Sequence, residues 1–303
     1  MFWKKKRKPD NAEHHPGEGD GNSVPVDINV VIKTDLGNVR TNNEDAASFI
    51  RKQDANVLRT KGYLMMVADG MGGHNAGEVA SRLAIDTINE TYFSNTSEKN
   101  REKLLAAAFQ AANKKIFEQS SSNENYRGMG TTCTALVLVA GNIYFAHAGD
   151  SRAYLYKDGK IHRITEDHTY VQELVNNGNI SSEEADTHPQ RNILTNAMGT
   201  KPTMRVDTGV YPQPFESDDR LMICSDGLYD YLTDAEIGAV MGKGSLQDAA
   251  DHFIQEAKRR GGKDNITVVM AEFATRNGAS SGIKETREAG IPVITRDAEI
   301  PET

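Results

Sequence analysis

Long apolar runs alternate along this chain with one-sided stripes at helical spacing, and short glycine-rich turns separate them. Ile28 to Thr34 and Ala46 to Ile50 read as strands, and Tyr63 to Ala68 is an uninterrupted apolar run that reads as a third. A helix is predicted from about Gly77 to Phe93, because Ala80, Leu83, Ala84, Thr87, Ile88 and Thr91 fall on one 3.6-residue face. A second, from about Glu98 to Glu118, carries the stripe Leu105, Ala108, Phe109, Ala112 and Ile116. Stripes on one side only mean that these helices lie on a surface, most simply that of a sheet.

Strand patterns return at Thr132 to Ala140 and Asn142 to Ala148, then at Arg152 to Tyr156 and Lys160 to Ile164 around Lys157-Asp158-Gly159, where Asp-Gly is a strong hairpin signal. Later come a strand Leu221 to Cys224, helices near Asp234 to Met241 and Leu246 to Arg260, and a strand Ile266 to Phe273. Runs of strands joined by tight turns and interrupted by paired helices predict an α+β fold with helices covering antiparallel sheets. Between Thr165 and Ala197 the pattern loosens into short helices at Tyr170 to Asn176 and Ser182 to Ala185, an excursion that reads as a mobile flap. Residues 1–26 and 274–303 are polar, charged or rich in Gly and Pro and read as disordered tails, leaving one folded domain at 27–273.

Charge narrows the class. The formal net charge is −8 and Lys4, Lys5, Lys6, Arg7 and Lys8 hold five of the positive charges, so the rest of the chain is more acidic still and unsuited to nucleic acid. Met1-Phe2-Trp3 and this basic run offer lipid one weak apolar anchor and a basic patch, which binds only marginally; a solvated tail is the preferred reading. No secretory h-region follows the basic start, and no run reaches transmembrane length. Cys133 and Cys224, the two cysteines, each sit inside an apolar run as buried hydrophobes, so a reducing, cytoplasmic setting is expected.

The chemistry lies where the strands end. Acidic residues gather at Glu44-Asp45, Asp69-Gly70-Met71-Gly72-Gly73-His74, Gly149-Asp150-Ser151-Arg152, Ser225-Asp226-Gly227-Leu228-Tyr229-Asp230 and Asp264-Asn265, several directly after a strand-like run. Each has an ordinary alternative: a glycine turn at Asp69, a hairpin turn at Asp150, a helix cap at Asp226, a shaped turn at Asp264. It is the conjunction that argues for a site. Two carboxylates about 4 Å apart repel by about 4 kcal/mol at an effective dielectric near 20, so a cation belongs between them. Oxygen ligands alone favour Mg²⁺ or Mn²⁺, and a pair of such ions suits in-line displacement at phosphorus. Arg40, four residues before Glu44, supplies a planar phosphate clamp, with a surface ion pair as its plain alternative.

In this order, and with Gly128-Met129-Gly130-Thr131-Thr132 as a further match, these motifs resemble the metal-dependent type 2C Ser/Thr protein phosphatases, most of all their bacterial branch. The resemblance spans about 28 to 273. It implies a central β-sandwich of two antiparallel sheets flanked by helix pairs, with metals in a cleft at one edge. Asp69, Asp226 and Asp264 would hold one ion, Asp69 and the Gly70 carbonyl the second, and Asp150 with Asp226 the third ion that bacterial relatives often bind. Arg40 would bind the substrate phosphate, while Glu44, Asp45, Asp230 and Asn265 would order bound water.

The implied activity is Mg²⁺/Mn²⁺-dependent hydrolysis of phosphoserine and phosphothreonine by metal-activated hydroxide. The implied partners are phosphorylated proteins and a bacterial Ser/Thr kinase whose action is reversed, and the chain is expected to be a monomer. Eukaryotic relatives place a His acid directly after the Asp-Gly pair; here Met71 stands there, so a bound water is expected to protonate the leaving group, and His74 reads as a local hydrogen-bonding residue. The flap matches a segment that borders the cleft and is expected to affect substrate choice. Two other readings stay open, a phosphatase-fold binding module without turnover and a phosphohydrolase for a small metabolite.

Overall fold

The computed structural model describes residues 27–72 and 76–274, together with the backbone of 284–285 and 293–295. The basic segment 1–8, the rest of the amino-terminal tail, and Gly73 and His74 lie outside the described residues. In chain order the elements are β1 (Ile28–Asp35), β2 (Asp45–Ile50), α1 (Ala55–Lys61), β3 (Tyr63–Met71), α2 (Ala76–Ser94), α3 (Arg101–Ser122), β4 (Gly130–Thr131), β5 (Cys133–Val139), β6 (Asn142–Ala148), β7 (Arg152–Lys157) and β8 (Lys160–Arg163). The remainder are α4 (Tyr170–Asn176), α5 (Ser182–Asp186), β9 (Asp207–Val210), β10 (Arg220–Cys224), α6 (Asp226–Tyr229), α7 (Asp234–Met241), α8 (Leu246–Arg260), β11 (Ile266–Phe273), β12 (Lys284–Glu285) and β13 (Val293–Thr295).

The strands form two sheets, ordered β12-β1-β11-β10-β7-β8 and β13-β2-β3-β5-β6-β9, with β4 paired to β3. All pairs are antiparallel except β12 with β1 and β13 with β2, which are parallel. The two last strands fall in the segment that reads from the sequence as a tail.

The pleat explains why the sequence shows unbroken apolar runs where an exposed sheet would alternate. Met65 and Val67 of β3 pack between the sheets with Phe49, Leu136, Ile223 and Val269, whereas Leu64, Met66 and Ala68 face outward onto α2 and α3. In β11, Val269 and Ala271 face inward and Val268 and Met270 face α8. Both faces of each central strand are buried, so both parities are apolar. The result is a four-layer αββα sandwich, as the fold expectation had it. Cys133 and Cys224 are unpaired thiols, buried in opposite outer layers.

Caps set the helix ends. The α3 helix starts at Arg101, a few residues later than the stripe suggests, because the Asn100 side chain accepts the Lys103 N–H. Capping boxes Thr233/Glu236 and Ser245/Asp248 open α7 and α8. Phe253 of α8 is fully buried against the outer face of the first sheet. Phe253→Ala should therefore lower the unfolding free energy by about 3–5 kcal/mol, read from urea denaturation.

Candidate active site

Strand directions alone bring the acidic motifs together. Asp45 opens β2 directly opposite Asp69 near the end of β3, and Cys224, just before Ser225-Asp226, pairs with Arg152 at the start of β7 and with Val268 of β11. Asp35, which ends β1, pairs with Ile266, just after Asp264-Asn265. All five motifs thus emerge at the same end of the sandwich.

Neutral polar groups hold the carboxylates there. Ser225 donates its hydroxyl to Asp45 Oδ2 (2.8 Å) and accepts the Thr267 N–H (3.0 Å). Thr132 accepts the Asp69 N–H (3.0 Å), and the Thr131 hydroxyl donates to the Asp69 carbonyl (2.8 Å). Gly70 donates its N–H to the Glu44 carbonyl (3.1 Å), and a Cβ there would collide with the Gly77 carbonyl, so β3 and α2 touch backbone to backbone. Asn265 staples the loop before β2 to the loop before β11: its Oδ1 accepts the Glu44 N–H (2.8 Å), and its amide donates to the carbonyls of Leu36 (3.2 Å) and Asn42 (3.1 Å). This residue is expected from the sequence to order water; both its amide hydrogens go to the main chain.

Arg40 stands at the mouth. Its Nη2 lies 2.6 Å from Asp264 Oδ2 and its Nη1 3.9 Å from Glu44 Oε2. Burial works against the guanidinium charge, but Asp264 and Glu44 outweigh it and raise the Arg40 pKa. On the far side, Arg191 of the flap reaches Asp230 Oδ2 at 3.1 Å. Behind Asp150, the Tyr229 hydroxyl donates to the Asp150 carbonyl (3.0 Å), and the Arg152 guanidinium lies 3.6 Å over the Tyr229 ring. Tyr229, Arg152, Thr131, Thr132 and Arg191 are not among the site residues read from sequence. Arg152 and Tyr229 stand inside the motifs, but nothing in their spacing says that they touch.

The charges are crowded. Burial, then Asp45, Asp226, Asp150 and Asp264, raises Asp69 well above the ordinary carboxylate range. Burial, then Asp150, Asp264, Asp230 and Asp45, does the same to Asp226. Burial and Asp167 push Asp150 to about 7 against the pull of Arg152, and burial lifts Asp45 to about 6 against its hydrogen bonds from Thr267 and Ser225. Asp226 Oδ1 is buried with no hydrogen-bond partner. Mutually repelling oxygens, one of them orphaned, fit a hard divalent cation. Among the described residues no three Asp, Glu, His or Cys side chains form a ready-made cage.

Residues 39–270 match the family model described as "Protein phosphatase 2C". The chain is 38% identical over 244 residues to the serine/threonine phosphatase stp of Listeria innocua, covering 79% of this chain and 94% of the relative. The fold matches the S. agalactiae serine/threonine phosphatase with TM-score 0.73 at 35% identity, covering 82% of this chain and 100% of the other. It also matches the catalytic domain of the serine/threonine protein phosphatase PstP, solved with 2 manganese ions, with TM-score 0.68 at 33% identity, covering 82% of this chain and 100% of that one. The chain belongs to the protein phosphatase 2C family.

The raised carboxyls give a pH signature. They protonate more readily in the metal-free fold than in the unfolded chain, so the stability they contribute is complete below the unfolded pKa and is lost as pH rises through about 6 for Asp45 and about 7 for Asp150; the raised Asp69 and Asp226 act in the same direction. His147, whose pKa burial and His168 lower to about 3, has the opposite effect, but only below the unfolded histidine value. The melting temperature of chelator-treated protein should therefore fall as pH rises through about 7, and saturating Mn²⁺ should abolish the fall. Differential scanning calorimetry of stripped and reloaded protein reads both.

Proposed function

We propose that this protein is a Mg²⁺- or Mn²⁺-dependent phosphoprotein phosphatase that hydrolyses phosphoserine and phosphothreonine and opposes a Ser/Thr kinase. The observation that carries the reading is the gathering of Asp69, Asp150, Asp226 and Asp264 at one sandwich end with Arg40 across its mouth. Asp69, Asp226 and Asp264 would hold one ion, Asp69 and the Gly70 carbonyl a second, and Asp150 with Asp226 a third. When bound, the ions supply Lewis acidity toward phosphoryl oxygens and acidify the attacking water.

The chain's own residues do the rest. Arg40 offers a fork of N–H donors to the dianionic phosphate, which an all-acidic cleft would otherwise repel. Its partner Asp264 keeps it extended over the site at 2.6 Å until substrate arrives. Asp45, fixed by Ser225 and buried, adds negative charge that favours cations without having to touch them. Glu44 and Asp230 stand on opposite sides, each beside an arginine, and order water in the cleft.

A groove of 830 Å³ leads from Asp230 between the flap and the start of α7, lined by Gln172, Thr187, Arg191, Tyr231 and Thr233 among others. A path of this size beside the carboxylates favours a protein substrate over a small metabolite, since it gives flanking residues somewhere to lie. Among the described residues no helix is long and apolar enough to cross a membrane. Both thiols are free and buried, which fits a reducing compartment, and we place the action in the cytoplasm with the chain as a monomer.

Asp226→Asn should abolish Mn²⁺-dependent hydrolysis of a phosphothreonine peptide, while Arg40→Lys should raise KM about tenfold with a smaller change in kcat. Persistent turnover in Asp226→Asn would rule out the assigned metal centre, and absent turnover in folded, metal-loaded wild type would favour a binding module. Replacing residues 178–190 of the flap by a short linker should impair peptide hydrolysis far more than that of a small aryl phosphate. Equal losses on both substrates would show that the groove plays no part in recognition.

A further inference from the structure

His168, at the root of the flap, is buried at 2% exposure and lies outside the carboxylate cluster. Its main-chain N–H donates to the Gly149 carbonyl (2.7 Å), and its ring Nδ1 accepts the Gly149 N–H (3.2 Å). A single residue therefore takes both main-chain polar groups of the glycine that precedes Asp150. Gly149 itself leaves little alternative: its φ is +116°, and a Cβ would collide with Thr132.

The protonation state of the ring follows from its neighbours. Gly149 N–H is a donor, and the Asn196 amide donates to the same Nδ1 at 2.8 Å. The Asn196 orientation is fixed independently, because its Nδ2 donates to the Arg205 carbonyl (3.0 Å) and its Oδ1 accepts the Arg205 N–H (3.2 Å). With Nδ1 bare, the proton sits on Nε2 and points at Asp207 Oδ2 (3.0 Å), which Arg205 also holds. The imidazole is thus a rigid strut from β9 to the Gly149-Asp150 turn.

The other side of the turn is tied separately. Thr132 and Ser151 share a hydroxyl hydrogen bond (2.8 Å), Thr134 donates to the Ser151 carbonyl (2.8 Å), and Tyr229 donates to that of Asp150. Because Thr134 gives its proton to Ser151, it accepts from His147 Nδ1 (2.8 Å), and the His147 ring packs 4.7 Å from that of His168. Only His168 anchors the Gly149 end among the hydrogen bonds of the described residues.

We propose that His168 is a positioning residue, whose Nδ1 and main-chain N–H fix the Gly149-Asp150 turn so that the Asp150 carboxylate is aimed for a divalent cation shared with Asp226. This rests on the metal role given to Asp150 above. Loss of the Nδ1 acceptor frees one end of the turn and weakens that ion's binding, while the ions on Asp69 and Asp264 are retained. Outer residues that orient a metal ligand affect affinity about 10- to 100-fold.

Two substitutions separate this role from simple anchoring of the flap. His168→Asn keeps an acceptor near the Nδ1 position but cannot reach Asp207; His168→Gln reaches Asp207 as a donor but leaves Gly149 N–H without its acceptor. Calorimetric Mn²⁺ titration of metal-stripped protein should show the Asp150-dependent binding event, defined as the one lost in Asp150→Ala, weakened about tenfold or more in His168→Gln and largely kept in His168→Asn. The opposite order would assign the residue to Asp207 and the flap, and an unchanged event in His168→Gln would equally overturn the proposal. If Asp150→Ala leaves Mn²⁺ binding as in wild type, the metal role of Asp150 fails, and with it the proposal. Should either His168 variant not fold, imidazole ¹⁵N shifts of the wild-type protein decide: an Nε2–H tautomer whose Nδ1 shift moves with Mg²⁺ over the Asp150-dependent concentration range is expected, and an Nδ1–H tautomer or an unresponsive Nδ1 refutes it.

Discussion

The mutual repulsion of carboxylates at one end of the sandwich is the constraint on which the rest of this structure depends. Asp45 and Asp69 face each other across a strand pair, Asp69 feels the charges of Asp150, Asp226 and Asp264, and Asp226 feels those of Asp150 and Asp264. Bringing such groups together without an ion costs free energy. The fold meets that cost with antiparallel pairing of central strands that are buried on both faces between the helices and the opposite sheet. A softer scaffold would let the acids move apart and lose the site.

Identical chemistry serves different ends according to its partners. Asp45 is 2% exposed and takes the Ser225 hydroxyl, whereas Asp226 keeps an oxygen with no partner. The first is a fixed charge; the second is, in the proposed function, a ligand for an ion. Hydroxyls and amides do the fixing because they add no charge: Ser225, Thr131, Thr132 and Asn265 hold acids in place without neutralising them. A lysine in any of these places would occupy the space that a cation needs.

Much of this was legible in the sequence. Runs such as Leu221 to Cys224 and Tyr63 to Ala68 announced strands, the stripes of α2 and α3 announced covering helices, and the acid motifs marked the strand ends. What was missed has physical reasons. The α1 helix buries only Leu58 and is defined by its Asp54 cap and Gly62, too short to show a period. Strand β9 is an edge strand of half-buried residues with no apolar run to betray it. His168 pairs with Gly149 and Asp207, contacts set by the sheet order and invisible in local spacing.

The two sides of the cleft differ in how they are built, and the difference follows from the topology. Arg40 and Asp264 sit on loops stapled to the sandwich through Asn265, so the Arg40 side inherits the rigidity of β1 and β11. Arg191 and Asp230 meet across the flap, a segment whose helices α4 and α5 pack chiefly on each other and whose strand-like ties are the single bridges Thr169 to Leu194 and Thr131 to Met198. Under the proposed function, this division would let one side hold the phosphate common to every substrate while the other meets the residues beside it. The flap is tied at its root by Asp167 and His168, where Asp167 receives the Arg152 and Arg163 guanidiniums and His168 grips Gly149. Variation can thus accumulate along the flap without disturbing the carboxylates, provided that these two residues stay.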